Sequence, residues 1–153
     1  MDTPQATARI AGHPLHPLLV TLPIGCWVLA FVADVVFWRG GYAMWAYAAT
    51  WLIAAGIVTA LIAAVAGFID FFGDKRIRDL KRAWWHMLGN LTAVVVSAAN
   101  LVFHMRDGAA SVLPTGIVLS LIVVLILLFT GWQGGELVFR HGVGVHPRPE
   151  VPR

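Results

Sequence analysis

The sequence predicts an all-α membrane protein in which four transmembrane helices form an up-down bundle. Of its 153 residues, 59 % are hydrophobic and only 12 % are charged, whereas soluble domains carry about a quarter charged residues. Four apolar runs are long enough to cross a bilayer, which takes about 20 helical residues. Short connections join the runs in pairs, which places consecutive helices antiparallel. Helices are the predicted form because lipid cannot satisfy the unpaired backbone groups of open strands.

The four predicted spans follow one another along a single domain, residues 1–145. Their approximate bounds are 18–38, 43–69, 85–105 and 113–132. Pro23 is expected to kink the first span, since proline has no amide hydrogen to give to the carbonyl of Leu19. Gly134 and Gly135 are expected to end the fourth helix or to allow close packing. No internal repeat is evident, and residues 146–153 are predicted to be a flexible Pro-rich tail.

Basic residues predict the orientation of the spans. The connection between the second and third spans holds five Lys and Arg residues, and such residues collect on the cytoplasmic side of membranes. Placing this connection and both termini inside accounts for nine of the eleven basic residues. The sequence therefore predicts that both termini are cytoplasmic. This distribution also explains the net charge of +3 without a nucleic acid partner.

Five of the six histidines fall at the predicted cytoplasmic ends of the spans. They come from three separate segments: His13 and His16 before the first span, His86 at the start of the third, and His141 and His146 after the fourth. Pro17 suits the first turn of a helix, where its missing N–H leaves no bond unmade. His16 is therefore expected to be held at the mouth of the first span.

Polar residues of the third span share one face. His86, Asn90, Ser97, Asn100 and His104 fall within about 40° of one line at about 100° per residue. Polar side chains in a membrane helix face the interior of the bundle or a cavity. This line is expected to supply hydrogen bonds between helices, or to border a path for a small solute. Asp34, near Trp38 and Arg39, is expected to be partly hydrated at the membrane interface.

Two cofactor chemistries fit the histidines. The first is a b-type haem with His86 as one axial ligand and His16 or His141 as the other, with His13 as a substitute. Asn90 would then orient His86 or contact the cofactor. The second is a divalent metal ion, which the same histidines could bind together with nearby carboxylates. Those carboxylates are Asp70, Asp74 and Glu136. A third interpretation is that the histidines only form hydrogen bonds at the interface.

Three motifs carry a family resemblance. They are GHPLHP followed by VTLPIG, the WH pair that opens the third span, and the closing GGELVFRHGVGV. Together, over about residues 11–145, they resemble unknown-function domain family 2231, whose members are bacterial four-helix predicted membrane proteins. The resemblance implies the fold, a bacterial inner membrane location and four motif histidines, but no activity. Those histidines are His13, His16, His86 and His141. Relatives found beside or fused to Rieske-type modules favour haem and electron transfer by association.

The sequence as a whole predicts an inner-membrane haem b protein that exchanges electrons with a quinone or a partner redox protein. The alternatives are a divalent-metal protein, a small-solute transport or channel subunit, and a cofactor-free assembly partner. No nucleophile and base are placed together, so no catalytic residue is predicted. Small residues on the second span, such as Ala55, Gly56 and Thr59, permit close helix contacts within one chain or in a homodimer.

Overall fold

A computed structural model describes residues 3–145, with the backbone alone at positions 107, 108 and 111. Its elements in chain order are β1 (Arg9–Ile10), β2 (His13–Pro14), α1 (Leu15–Leu19), α2 (Thr21–Gly40), α3 (Ala43–Gly73), α4 (Lys75–Arg78), α5 (Lys81–Asp107), a 3₁₀ helix (Gly108–Val112) and α6 (Thr115–Phe139). The predicted flexible tail, 146–153, and His146 within it lie outside the described residues.

Four long apolar helical segments confirm the predicted architecture. Each is long and apolar enough to cross a membrane, and their bounds are Leu15–Gly40, Ala43–Gly73, Lys81–Arg106 and Thr115–Phe139. Large apolar side chains cover the outside of the bundle, among them Leu22, Leu29, Leu61, Val65, Leu125 and Leu128. Such a surface is covered by lipid rather than water. The chain is therefore a multi-pass membrane protein.

The helices follow one another around the bundle. Helix α2 packs against α3 and α6, and α5 packs against the same two helices. Helices α2 and α5 are thus diagonal neighbours across the bundle axis, as are α3 and α6. Residues from all four helices meet in an apolar layer formed by Trp27, Ala60, Ala93, Val123 and Leu127.

Helix bounds confirm one prediction and correct others. The first span is interrupted at Val20, between α1 and α2, as expected from Pro23 three residues later. Helix α5 begins four residues before its predicted start, because charged residues continue a helix into water. Helix α6 continues through Gly134 and Gly135 to Phe139, so the expectation that these glycines end the helix was wrong. The alternative expectation, close packing, holds for Gly134, which lies against the ring of His86.

Buried positions recur with the same register in the two halves of the chain. Helix α2 buries Pro23, Trp27, Ala30 and Asp34, and α5 buries the positions 70 residues later, Ala93, Ser97, Asn100 and His104. Helix α3 buries Ile53, Gly56, Ala60 and Ala63, and α6 buries the positions 67 residues later, Ser120, Val123, Leu127 and Thr130. The bundle is therefore two helical hairpins of matching register. The repeat escapes sequence inspection because most of the paired residues differ in type.

The first and last described residues and the α3–α5 connection lie together at one end of the bundle. The side chain of Asp70 accepts hydrogen bonds from the amides of Thr7 and Ala8 at 2.6 and 2.7 Å. Farther along, the amide of Gly144 donates to the carbonyl of Pro4 at 3.0 Å. We call this the histidine end, because His16 and His86 lie here. Its predicted cytoplasmic location remains a prediction.

Close packing between α2 and α3 predicts that alanine substitutions at two glycines affect stability differently. A Cβ at Gly56 would overlap the indole of Trp27, whereas a Cβ at Gly25 would meet nothing within 4 Å. We expect Gly56→Ala to lower the free energy of unfolding by about 1–3 kcal/mol. Gly25→Ala should leave stability unchanged or raise it slightly. Thermal unfolding in detergent measures both, and equal melting temperatures for the two variants would contradict the packing.

Candidate functional site

His16 and His86 meet across the bundle axis. Their ring centroids are 6.0 Å apart and the ring planes are nearly perpendicular, at 87°. They come from the diagonal first and third spans and occupy equivalent positions of the two hairpins. Residues that contact their own equivalents lie on a two-fold axis. We call these two residues the histidine pair.

A backbone carbonyl fixes each ring of the pair. Nδ1 of His16 donates to the carbonyl of Ala63, and Nδ1 of His86 donates to the carbonyl of Thr130, both at 2.9 Å. A carbonyl oxygen only accepts, so Nδ1 carries the hydrogen in both rings. In the neutral ring Nε2 then keeps its lone pair. This is the arrangement of metal-ligating histidines, whose other nitrogen is held by a carbonyl or carboxylate.

Glycines provide the room for these two contacts. Gly67 lies one turn after Ala63 on α3, and Gly134 lies one turn after Thr130 on α6. A Cβ at Gly67 would stand 2.9 Å from Nδ1 of His16, and a Cβ at Gly134 would stand 3.1 Å from Cε1 of His86. Each imidazole therefore lies so close to the helix backbone that a Cβ at the glycine would crowd the ring.

Asn90 is the third polar side chain at the pair. Its amide Nδ2 donates to the carbonyl of His86 at 2.8 Å and lies 3.2 Å from Nε2 of the same residue. The expectation that Asn90 orients His86 agrees with these contacts. No hydrogen bond to Nε2 of His16 is present among the described residues. The two Nε2 atoms therefore differ, one facing an amide and the other without a protein donor.

The other predicted ligands do not join the pair. His13 is exposed, with Nδ1 3.0 Å from the carbonyl of Ala11. His141 follows α6, and its amide donates to the carbonyl of Glu136 at 3.2 Å. Within residues 3–145, no three His, Cys, Asp or Glu side chains converge to hold a metal ion. Ligand roles for His13 and His141 therefore stay predictions, and the assembled site is the pair with Asn90.

Charged groups surround the histidine end without entering the pair. Glu136 lies 3.4 Å from Arg82 and 3.2 Å from Arg140. In the α3–α5 connection, hydrogen bonding from the Arg76 side chain holds the pKa of Asp74 well below its usual range. Because that pKa is depressed on folding, the contribution of Asp74 to stability is present above pH ~4 and is lost as the pH falls further.

A second polar group, which sequence inspection missed, lies at the opposite end of the bundle. Asp34 was expected to be partly hydrated, and this was wrong: its side chain is fully buried. Its carboxylate lies 3.2 Å from Nε2 of His104. Asp34 and His104 each follow a residue of the histidine pair by 18 positions. That shared spacing was the available signal, and it requires recognising the two hairpins as equivalent.

The glycine contact predicts how the position of His86 can be disturbed. Gly134→Ala should push the imidazole off the carbonyl of Thr130 and destabilise the protein by about 1–3 kcal/mol. Gly131→Ala on the same helix is the control, since a Cβ there meets nothing within 4 Å. Melting temperatures in detergent should fall for the first variant only. A Gly134→Ala protein as stable as the control would contradict the contact.

Comparison with known proteins supports the fold and leaves the activity open. The pattern of the DUF2231 predicted membrane protein family matches residues 12–147. No curated protein and no solved structure matches the chain. The match spans both hairpins and includes the histidine pair, Asn90 and both contacting glycines. The chain therefore belongs to the DUF2231 predicted membrane protein family.

Proposed function

We propose that the histidine pair binds one b-type haem in the membrane and that the protein transfers electrons. The observation that carries this proposal is the pair itself: two imidazoles face each other across the bundle axis with their Nδ1 atoms bonded to carbonyls. Haem iron is commonly held by histidine, and helix bundles commonly hold cofactors between facing helices.

The distance between the rings suits one iron atom between two imidazoles. A metal–nitrogen bond to histidine measures about 2 Å. Two such bonds, together with the distance from Nε2 to the centroid of each ring, span about 6 Å. This agrees with the centroid separation of 6.0 Å. The carbonyls of Ala63 and Thr130 would fix the ring orientations and raise the basicity of both Nε2 atoms.

The number of protein ligands favours haem over a divalent metal ion. Structural zinc sites take four ligands and catalytic ones at least three from the protein. The pair supplies two, and no third such side chain converges on it in the described part of the chain. A porphyrin supplies four nitrogens of its own, so two histidines complete the coordination of its iron.

An apolar groove and one amide lie near the pair. The groove, of about 320 Å³, lies between α1 and α3 and is lined in part by Leu15, Leu19, Ile62 and Ala66, but by neither histidine of the pair. The amide of Asn90 would move away from Nε2 of His86, so that Nε2 could bind the iron. Asn90 would keep its hydrogen bond to the His86 carbonyl. The helix ends here, near the membrane interface, would place an edge of the ring within reach of a quinone or a redox protein.

The same geometry favours electron transfer over substrate chemistry. Iron held between two imidazoles has no open position for oxygen or a substrate, so it carries single electrons. A transport path along the bundle is less favoured, because the layer that contains Trp27, Ala93 and Leu127 separates the two polar ends. On the predicted orientation, this redox centre would lie on the cytoplasmic side of a bacterial inner membrane.

An absorption spectrum of the purified protein tests the proposal. Protein expressed with an ample supply of haem should show a Soret band, and sharp α and β bands after dithionite reduction, at one haem per chain. His16→Ala and His86→Ala should each abolish the six-coordinate spectrum, because each removes an axial ligand. His13→Ala is the control and should keep it, since His13 is exposed and outside the pair.

Two results would contradict the proposal. One is a protein that stays without a Soret band after haemin is added to the folded protein. The other is elemental analysis that finds a divalent metal in place of iron. Circular dichroism of each variant separates the loss of the ligand from the loss of the fold.

A further inference from the structure

Asp34 and His104 form a buried acid–base pair at the end of the bundle opposite the histidine pair. Both side chains are completely buried, and Nε2 of His104 lies 3.2 Å from Oδ1 of Asp34. They come from diagonal helices α2 and α5 and, like the histidine pair, occupy equivalent positions of the two hairpins. A carboxylate withdrawn from water at this depth is costly unless its charge is compensated.

Hydrogen-bond donors and acceptors determine how many protons this site holds. Nδ1 of His104 lies 3.0 Å from the carbonyl of Asn100, and because a carbonyl only accepts, Nδ1 carries a hydrogen. In a neutral His104 ring, Nε2 is then an acceptor. If Asp34 were ionised as well, two acceptors would face each other at 3.2 Å. One additional proton, on either Nε2 or Oδ1, converts this contact into a hydrogen bond.

The other oxygen of Asp34 is already supplied with a donor. The hydroxyl of Ser120 donates to Oδ2 at 2.6 Å, and Nδ2 of Asn100 donates to that hydroxyl at 2.8 Å. Because Ser120 gives its hydrogen to Asp34 and not to His104, these residues do not form a nucleophile and base. Their arrangement instead orients the carboxylate so that Oδ1 faces His104.

Among the described side chains, no other buried charge compensates Asp34. Helix α3 contributes only apolar buried side chains at this end, namely Ala46, Ala49 and Ile53. Helix α6 contributes Gly116 and Ser120. Arg39 and Arg106 are exposed, and no other charged side chain of the described residues is buried at this end. The positive charge that neutralises Asp34 must therefore arrive as a proton.

We propose that Asp34 and His104 form a binding site for one proton, shared between Oδ1 and Nε2. Ser120 and Asn100 are positioning residues for the carboxylate and the ring. Two nearby polar atoms, Oγ of Ser97 and Oδ1 of Asn100, are buried without a hydrogen-bond partner. Such atoms are where internal water is held, so water would extend the site one turn toward the middle of the bundle.

The site is separate from the histidine pair and does not depend on the proposed haem. The apolar layer containing Trp27, Ala93 and Val123 lies between them. A proton bound at Asp34 and His104 is therefore separated from the histidine pair by apolar side chains.

Nitrogen NMR of the histidine rings, combined with infrared spectroscopy of Asp34, tests the proposal on the full chain in detergent at neutral pH. His104→Gln assigns the His104 nitrogen signals, and Asp34→Asn assigns the carboxyl band. We expect either a doubly protonated His104 ring beside an ionised Asp34, or a singly protonated ring beside a protonated Asp34. A singly protonated ring together with an ionised carboxylate would overturn the proposal.

Asp34→Asn gives a second, independent readout. Its amide has nearly the shape of the carboxyl group and can donate to Nε2 of His104, so the extra proton is no longer needed. We expect His104 in this variant to be neutral, with its one hydrogen on Nδ1. A ring that stays doubly protonated would show that Asp34 does not hold the proton and would refute the proposal. Arg39→Gln, which changes an exposed charge at the same end, should leave His104 unaltered.

Discussion

A histidine ring inside a membrane bundle needs an acceptor for its N–H hydrogen, and the structure depends on how this requirement is met. Each ring of the histidine pair gives its Nδ1 hydrogen to a carbonyl of the facing helix, at 2.9 Å. The close approach requires glycine one turn farther along, at Gly67 and Gly134. One interaction thus fixes the spacing of the helices, the tautomer of the rings and the exposure of Nε2.

Because this interaction occurs once in each hairpin, it also accounts for the symmetry of the bundle. Equivalent residues of the diagonal helices meet on the axis at both ends, as two histidines at one end and as Asp34 with His104 at the other. The first pair consists of two identical residues, for which we propose a symmetric ligand such as iron. The second pair consists of an acid and a base, for which we propose a proton. An apolar layer between them keeps the two chemistries apart.

Composition and apolar runs were sufficient to predict the four helices and their antiparallel order, because lipid permits few alternatives. Helical spacing also predicted the polar face of the third span, of which Ser97, Asn100 and His104 are buried. The contact of His16 with His86 was an expectation that depended on topology, since the residues lie in different hairpins. The burial of Asp34 was missed because its partner His104 lies 70 positions away, and their equivalence is visible only once the hairpin repeat is recognised. The hairpin repeat escaped notice because the two halves share the register of their buried positions but not the type or size of the buried residues.

The central claim is that two imidazoles with nearly perpendicular planes hold one haem iron between them. Electron paramagnetic resonance of the oxidised protein at low temperature tests ligand identity and ring geometry together. Perpendicular imidazole planes leave two iron d orbitals close in energy, so ring planes at 87° predict a single, highly anisotropic low-spin ferric signal. A rhombic low-spin signal, which parallel planes produce, or a high-spin signal from iron with one histidine, would contradict the account.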